Sequence, residues 1–255
     1  MFGAGNGNRK WRRAVVGAVV LSTLAACGGS DGDGGGKGGK PSAAASAAGP
    51  KALTEAELTA LSFTEGEKIG PYEASDLGAP RSEDYTADPA VCQPLVSLAK
   101  GVTDLDPAAE VHREVDVADE MNGTSVSVQL RSYANGRAAA VMKALAAAGT
   151  RCAGGFTEDR ALAQAKYLKV EPVKAPAFAA DADEAQAYRF TIRDVGDGKL
   201  KLYEYLTLVR SGSVTLSFRA DIISTKDIGG VPEEVMRAQW EKFRANQKGT
   251  PESGE

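Results

Sequence analysis

A chain of 255 residues holds one domain, or one domain with appendages. With 43% hydrophobic and 25% charged residues it can build a globular core. Four basic residues, Arg9, Lys10, Arg12 and Arg13, precede the first acid, Asp31; without residues 1–26 the net charge moves from −4 to −8. An acidic domain repels phosphate backbones, and no Lys/Arg stripe with interleaved aromatics is present, so nucleic acid is not expected as a partner.

The four cations open a signal peptide over residues 1–26, and Ala14 to Leu24 form its apolar stretch. Eleven residues cannot span a hydrocarbon core of ~30 Å, which needs about 20, but they suit an export signal. The stretch closes on Leu24-Ala25-Ala26-Cys27. Small residues precede any cleavage site; a cysteine directly after them resembles a bacterial lipobox. That resemblance implies a diacylglyceryl group on Cys27 and anchoring at the outer face of the cytoplasmic membrane. An ordinary secretory signal with an incidental cysteine is the alternative. Residues 27–51 are mostly Gly, Ser, Ala, Asp and Lys, with nothing large to bury. They read as a disordered tether with a span of roughly 25 Å.

The domain follows over residues 52–247, with a disordered tail at 248–255. Thr54-Glu55-Ala56-Glu57 is a capping-box pattern and opens a helix to about Leu61. Residues 62–88 read as polar and irregular. Asp88-Pro89 reads as N-cap and first helical residue of a segment carrying Val91, Leu95 and Leu98 and ending at Gly101. Strands are expected near 111–118 and 124–133; the second sets Val126, Val128 and Leu130 against Ser127, Gln129 and Arg131. A helix over 135–148 carries Ala138, Val141, Met142 and Leu145, with Gly149 as its stop. Four strands near 166–173, 186–195, 199–210 and 213–223 form a meander. A last helix over 232–246 starts at Pro232 and presents Met236, Trp240 and Phe243 on one face. Keeping the apolar residues of the meander on one side demands three-residue loops at Gly196-Asp197-Gly198 and Ser211-Gly212-Ser213. The fold class is α+β: an antiparallel sheet of about five to six strands with helices packed on one face.

Cys27 being assigned to lipid, Cys92 and Cys152 remain as an even pair in an oxidising setting. They are expected to bridge; two free thiols are the alternative. Catalytic chemistry is poorly served. No G-x-S-x-G falls within residues 52–247, and the one histidine, His112, lies in a charged stretch that reads as exposed strand. Without C-x-x-C or H-E-x-x-H no metal site is expected. Neither a cofactor nor an enzymatic activity is expected, a hydrolase being the distant alternative. Two features point to binding instead. Glu204 interrupts the series Leu200, Leu202, Leu206, Leu208, as a cleft carboxylate, an outward bulge, or a partner of Arg237 or Arg244. On the other face Arg189, Tyr205 and Arg219 fall in one cross-strand row, beside Lys201 and Arg193. With Asp221 or an anionic ligand between them the arginines can share that row; otherwise it is a solvated sheet face.

The order of "PAVCQPLVSLA", "VSVQLRSYA", "RAAAVMKAL", "RCAGG" and "VPEEVMRAQWEKF" is similar to actinobacterial lipoproteins related to the extracellular sensor domain of PknH-type serine/threonine kinases. The resemblance covers roughly residues 52–247. It implies a central antiparallel sheet with helices around a cleft, and a sensing or ligand-binding role. The expected partners are the membrane through the anchor, a small molecule or envelope component, and another envelope protein. The function so read is a lipid-anchored extracytoplasmic ligand-binding or sensor-like module, with a scaffolding envelope lipoprotein as the alternative.

Overall fold

The computed structural model describes residues 51–77, 85–97, 106–117, 125–160, 163–193, 198–221, 227 and 229–247. The expected signal peptide, Cys27, the tether up to Pro50 and the tail lie outside them. Thr54 caps α1 (Glu55–Leu61): its hydroxyl accepts the Glu57 N–H, and the Glu57 carboxylate accepts the Thr54 N–H. Segment 62–88, expected to be irregular, carries β1 (Lys68–Ile69), β2 (Tyr72–Asp76) and β3 (Thr86–Asp88). Each is too short to show an apolar alternation.

A single 3-10 turn (Ala90–Cys92) and α2 (Gln93–Ser97) follow, with Asp88 in strand rather than at an N-cap. Next come β4 (Ala109–Val117), β5 (Ser125–Ser132) and α3 (Arg137–Arg151). Gly149 does not stop α3. It lies inside the helix, where a Cβ would come within 2.3 Å of the Tyr188 ring. The glycine serves close approach of helix to sheet. The chain continues through β6 (Phe156–Arg160), β7 (Ala163–Val173), a 3-10 turn (Ala177–Asp181), β8 (Glu184–Arg193), β9 (Lys201–Ser211) and β10 (Val214–Asp221) to α4 (Glu233–Gln247).

All strands join one antiparallel sheet in the order β1-β2-β4-β5-β10-β9-β8-β7-β6-β3. It has ten strands where five to six were expected, because short edge strands escape a periodicity reading. The β8–β9 register is the expected one, Phe190 opposite Glu204 and Arg193 opposite Lys201. At β9–β10 the expectation fails. Ser211 pairs with Val214 across a two-residue turn, with Gly212 at φ +59°. Directly paired residues share a face, so the apolar residues of β10 lie on the side opposite Leu206 and Leu208.

The sheet therefore changes its apolar side across β9, and helices cover both faces rather than one. On one side Val111, Val126, Val128, Leu216 and Phe218 pack with Leu58 and Leu61 of α1 and Met236, Trp240 and Phe243 of α4. On the other, Tyr167, Tyr188, Phe190, Leu206 and Leu208 pack with Leu95 of α2 and Val141, Met142 and Leu145 of α3. Cys92 and Cys152 are joined in a disulfide that ties the start of α2 to the end of α3, with Cα atoms 5.9 Å apart. No helix among the described residues is long and apolar enough to cross a membrane.

Candidate functional site

The exchange of sides leaves β4, β5 and β10 with a polar face. Register aligns three rows on it: Glu110, Arg131 and Thr215; His112, Gln129 and Ser217; Glu114, Ser127 and Arg219. His112, Gln129, Arg131, Thr215, Ser217 and Arg219 are all buried. Burying such groups is costly unless each is satisfied. The Arg131 Nε donates to Glu110 at 3.0 Å, and the Ser125 hydroxyl donates to Glu114 at 2.7 Å. The His112 ring, expected to be exposed, is buried. Its Nε2 lies 3.3 Å from Glu110, off hydrogen-bond alignment, and its Nδ1 has no partner among the described residues. His112 beside it, together with Arg131, holds the Glu110 carboxyl down at about 2 against the opposing effect of burial.

Glu204 and Arg219 belong to this same face. Glu204 lies opposite Asp221, and Arg219, two residues before Asp221, reaches it as a buried ion pair. Its partner is thus a neighbouring strand, not Arg237 or Arg244 of α4. Arg219 also lies over the Phe190 ring, 5.9 Å from its centre. The Tyr167 hydroxyl sits between Glu158 at 2.9 Å and Glu204 at 3.2 Å. Burial, and then the Glu204 charge, push the Tyr167 phenol well above its ordinary range.

The expected row of Arg189, Tyr205 and Arg219 is therefore split. Arg189 and Tyr205 are directly paired on the side facing α4, while Tyr205 meets Ala220 in β10. Asp227, beyond β10, supplies the carboxylate for which Asp221 was considered. It takes hydrogen bonds from Arg189, from the Tyr205 hydroxyl and from the Gly229 N–H. Burial, and then Asp227, push the Tyr205 phenol up to about 12. Arg189 also reaches Glu171 at 3.3 Å and lies 4.5 Å above the Tyr203 ring. Glu171 and Asp227 more than offset the Arg189 charge, so the cluster offers no unmet attraction for an anion. Beside it, a cavity of about 340 Å3 lies between β8–β9 and the start of α4, lined by Tyr205, Thr207, Val231 and Met236.

Sequence reasoning missed the polar face as a unit. Its signal was present in the polar alternation of both β5 and β10, each of which reads alone as a solvated edge. Only their adjacency makes a patch. Among the described residues no group of three His, Cys, Asp or Glu is placed to hold a metal ion.

No protein-family model matches the chain, and no curated protein matches it in sequence. Among solved structures it is similar to the extracellular domain of PknH from Mycobacterium tuberculosis. That similarity is 13% in identity with a TM-score of 0.50, over 78% of this chain and 100% of that one. A putative uncharacterized protein from Mycobacterium smegmatis, an Rv0999 ortholog, aligns at 14% identity and TM-score 0.36, over 69% of this chain and 88% of that one. The domain thus has the fold of the PknH extracellular domain.

Proposed function

We propose that this protein is a lipid-anchored, extracytoplasmic ligand-binding or sensor-like module of the cell envelope, and not an enzyme. The observation that carries the reading is the polar face of β4, β5 and β10. Six buried polar side chains occupy a stretch of sheet that packing alone would fill with Val and Leu, and one imidazole nitrogen is left without a partner among the described residues. Such groups are retained where they meet something polar. The fold shared with an extracellular domain and the lipobox-like run at Cys27 support an extracytoplasmic, membrane-attached setting. A scaffolding role calls for a broad apolar patch. Among the described residues the exposed large hydrophobics are Leu77 just after β2, Val173 at the end of β7 and Leu200 just before β9, far apart in the chain.

The test is a thermal-shift screen against cell-envelope fragments and small metabolites, repeated with Gln129→Ala/Ser217→Ala. A ligand that raises Tm in the parent and not in the variant supports the reading. A ligand that stabilises both equally, or no ligand across the panel, overturns it.

A further inference from the structure

Beyond the end of β2, the outer edge of β4 carries a second site, which shares Glu110 and His112 with the polar face. The direction of its peptide groups follows from its neighbours. Ala74 donates to Glu67 and accepts from Gly66, so its backbone faces β1, and by alternation Glu73 and Ser75 face β4. Their partners Asp116 and Glu114 then face β2. On the far side, Tyr133 N–H donates to Ser213, which turns the odd residues of β5 to β10 and the even ones to β4. Both arguments agree that Glu110 and His112 turn their peptide groups away from β5. Pairing with β2 ends at Arg113–Asp76, and among the described residues no strand pairs with Ala109–His112 on that side.

Along this edge runs a cavity of about 670 Å3 between β4 and α1. Glu55, Asp76, Asp106 and Glu110 line it against a single arginine, Arg113. Asp76 meets Arg113 at 3.2 Å, and Glu110 is held by Arg131, whereas Glu55 and Asp106 are exposed acids. His112 lines the same space. It is only 4% exposed, and its Nδ1 is without a hydrogen-bond partner among the described residues.

We propose that this edge takes an extended, cationic peptide segment of a partner protein as an added strand. An unpaired edge supplies main-chain donors and acceptors in ladder spacing, and the flanking pocket reads alternate side chains. Lysines or arginines on the α1 side reach Glu55 and Asp106, and a polar side chain on the other reaches the imidazole. The acidic lining selects a basic segment over an acidic one.

The probe is dye-labelled acetyl-Lys-Thr-Lys-Thr-Lys-amide, followed by fluorescence anisotropy with the full chain, with the glutamate counterpart as control. Binding of the lysine peptide alone is expected, with slowed amide exchange confined to segment 108–113. Glu55→Lys/Asp106→Lys should weaken it at least tenfold, and added salt should act in the same direction. Both substituted side chains are exposed, so folding is preserved. Equal binding of the glutamate peptide, unchanged affinity in the charge-reversed variant, protection outside 108–113, or no binding overturns the proposal. Glu55→Lys/Asp106→Lys should leave the thermal shift given by a polar-face ligand unchanged, since neither residue belongs to that face, which separates this edge from the ligand reading.

Discussion

Glu204 occupies a place in β9 where its neighbours are leucines, and Arg219 is what makes that tolerable. A buried pair of this kind contributes little net stability, yet removing one partner strands the other. Glu204→Leu or Arg219→Met should each cost about 3–5 kcal/mol in urea unfolding, and the double variant should be more stable than either single one. Equal or additive losses would mean that the two charges are not coupled. Glu110 supports a pH prediction. Its folded value of about 2 lies below the ordinary 4.5. Its contribution is fully present above 4.5 and is lost as pH falls through about 2. Urea midpoints of the parent should therefore fall between those values more steeply than those of Glu110→Gln. The Glu204 position was legible as an anomaly in the sequence. Its partner was not, because one residue of register decides which side Arg219 takes.

At the scale of elements, the β9–β10 turn is the decisive feature. Two residues, with left-handed Gly212 first, place Glu204 and Arg219 together and the apolar sides of β9 and β10 apart. Inserting one glycine after Gly212 should restore the three-residue loop and turn every β10 side chain to the wrong side. The expected outcome is loss of cooperative unfolding by circular dichroism; a normal transition would show that the register is set elsewhere. Within α3, Gly149→Ala gains about 1 kcal/mol in helix propensity but drives a methyl into Tyr188. The overpacking should prevail, for a net loss of about 1–2 kcal/mol by chemical denaturation. The capping box of α1 was legible because it lies within four residues. The extent of α3 was not, because a glycine that permits contact and one that ends a helix look alike in one dimension.

For the whole molecule, the 60-residue separation of Cys92 and Cys152 makes the bridge a long-range constraint on the core between α2, α3 and the sheet. Reduction should lower unfolding free energy by ~4 kcal/mol in the chain-entropy description. A urea midpoint unchanged by reductant would show that the core under α3 holds without it.

Features written in neighbouring residues could be read from the sequence by itself: the lipobox-like run, the low-complexity composition of residues 28–50, the capping box, the alternation in β5, the β8–β9 register and the even pair of cysteines. Each depends on spacing within one segment or on a simple count. Which face of the sheet is apolar depends instead on which strands become neighbours. Ser217 and Gln129 meet only because β10 inserts between β9 and β5, strands far apart in the chain. A one-sided reading of the meander assumed one core, whereas the molecule builds two, on opposite faces, and β9 serves both. Side-chain direction alternates at every residue, so the choice between a two- and a three-residue turn reverses a whole strand. That choice is made by the packing of α1, α3 and α4 on the finished sheet, and only the tertiary structure contains it.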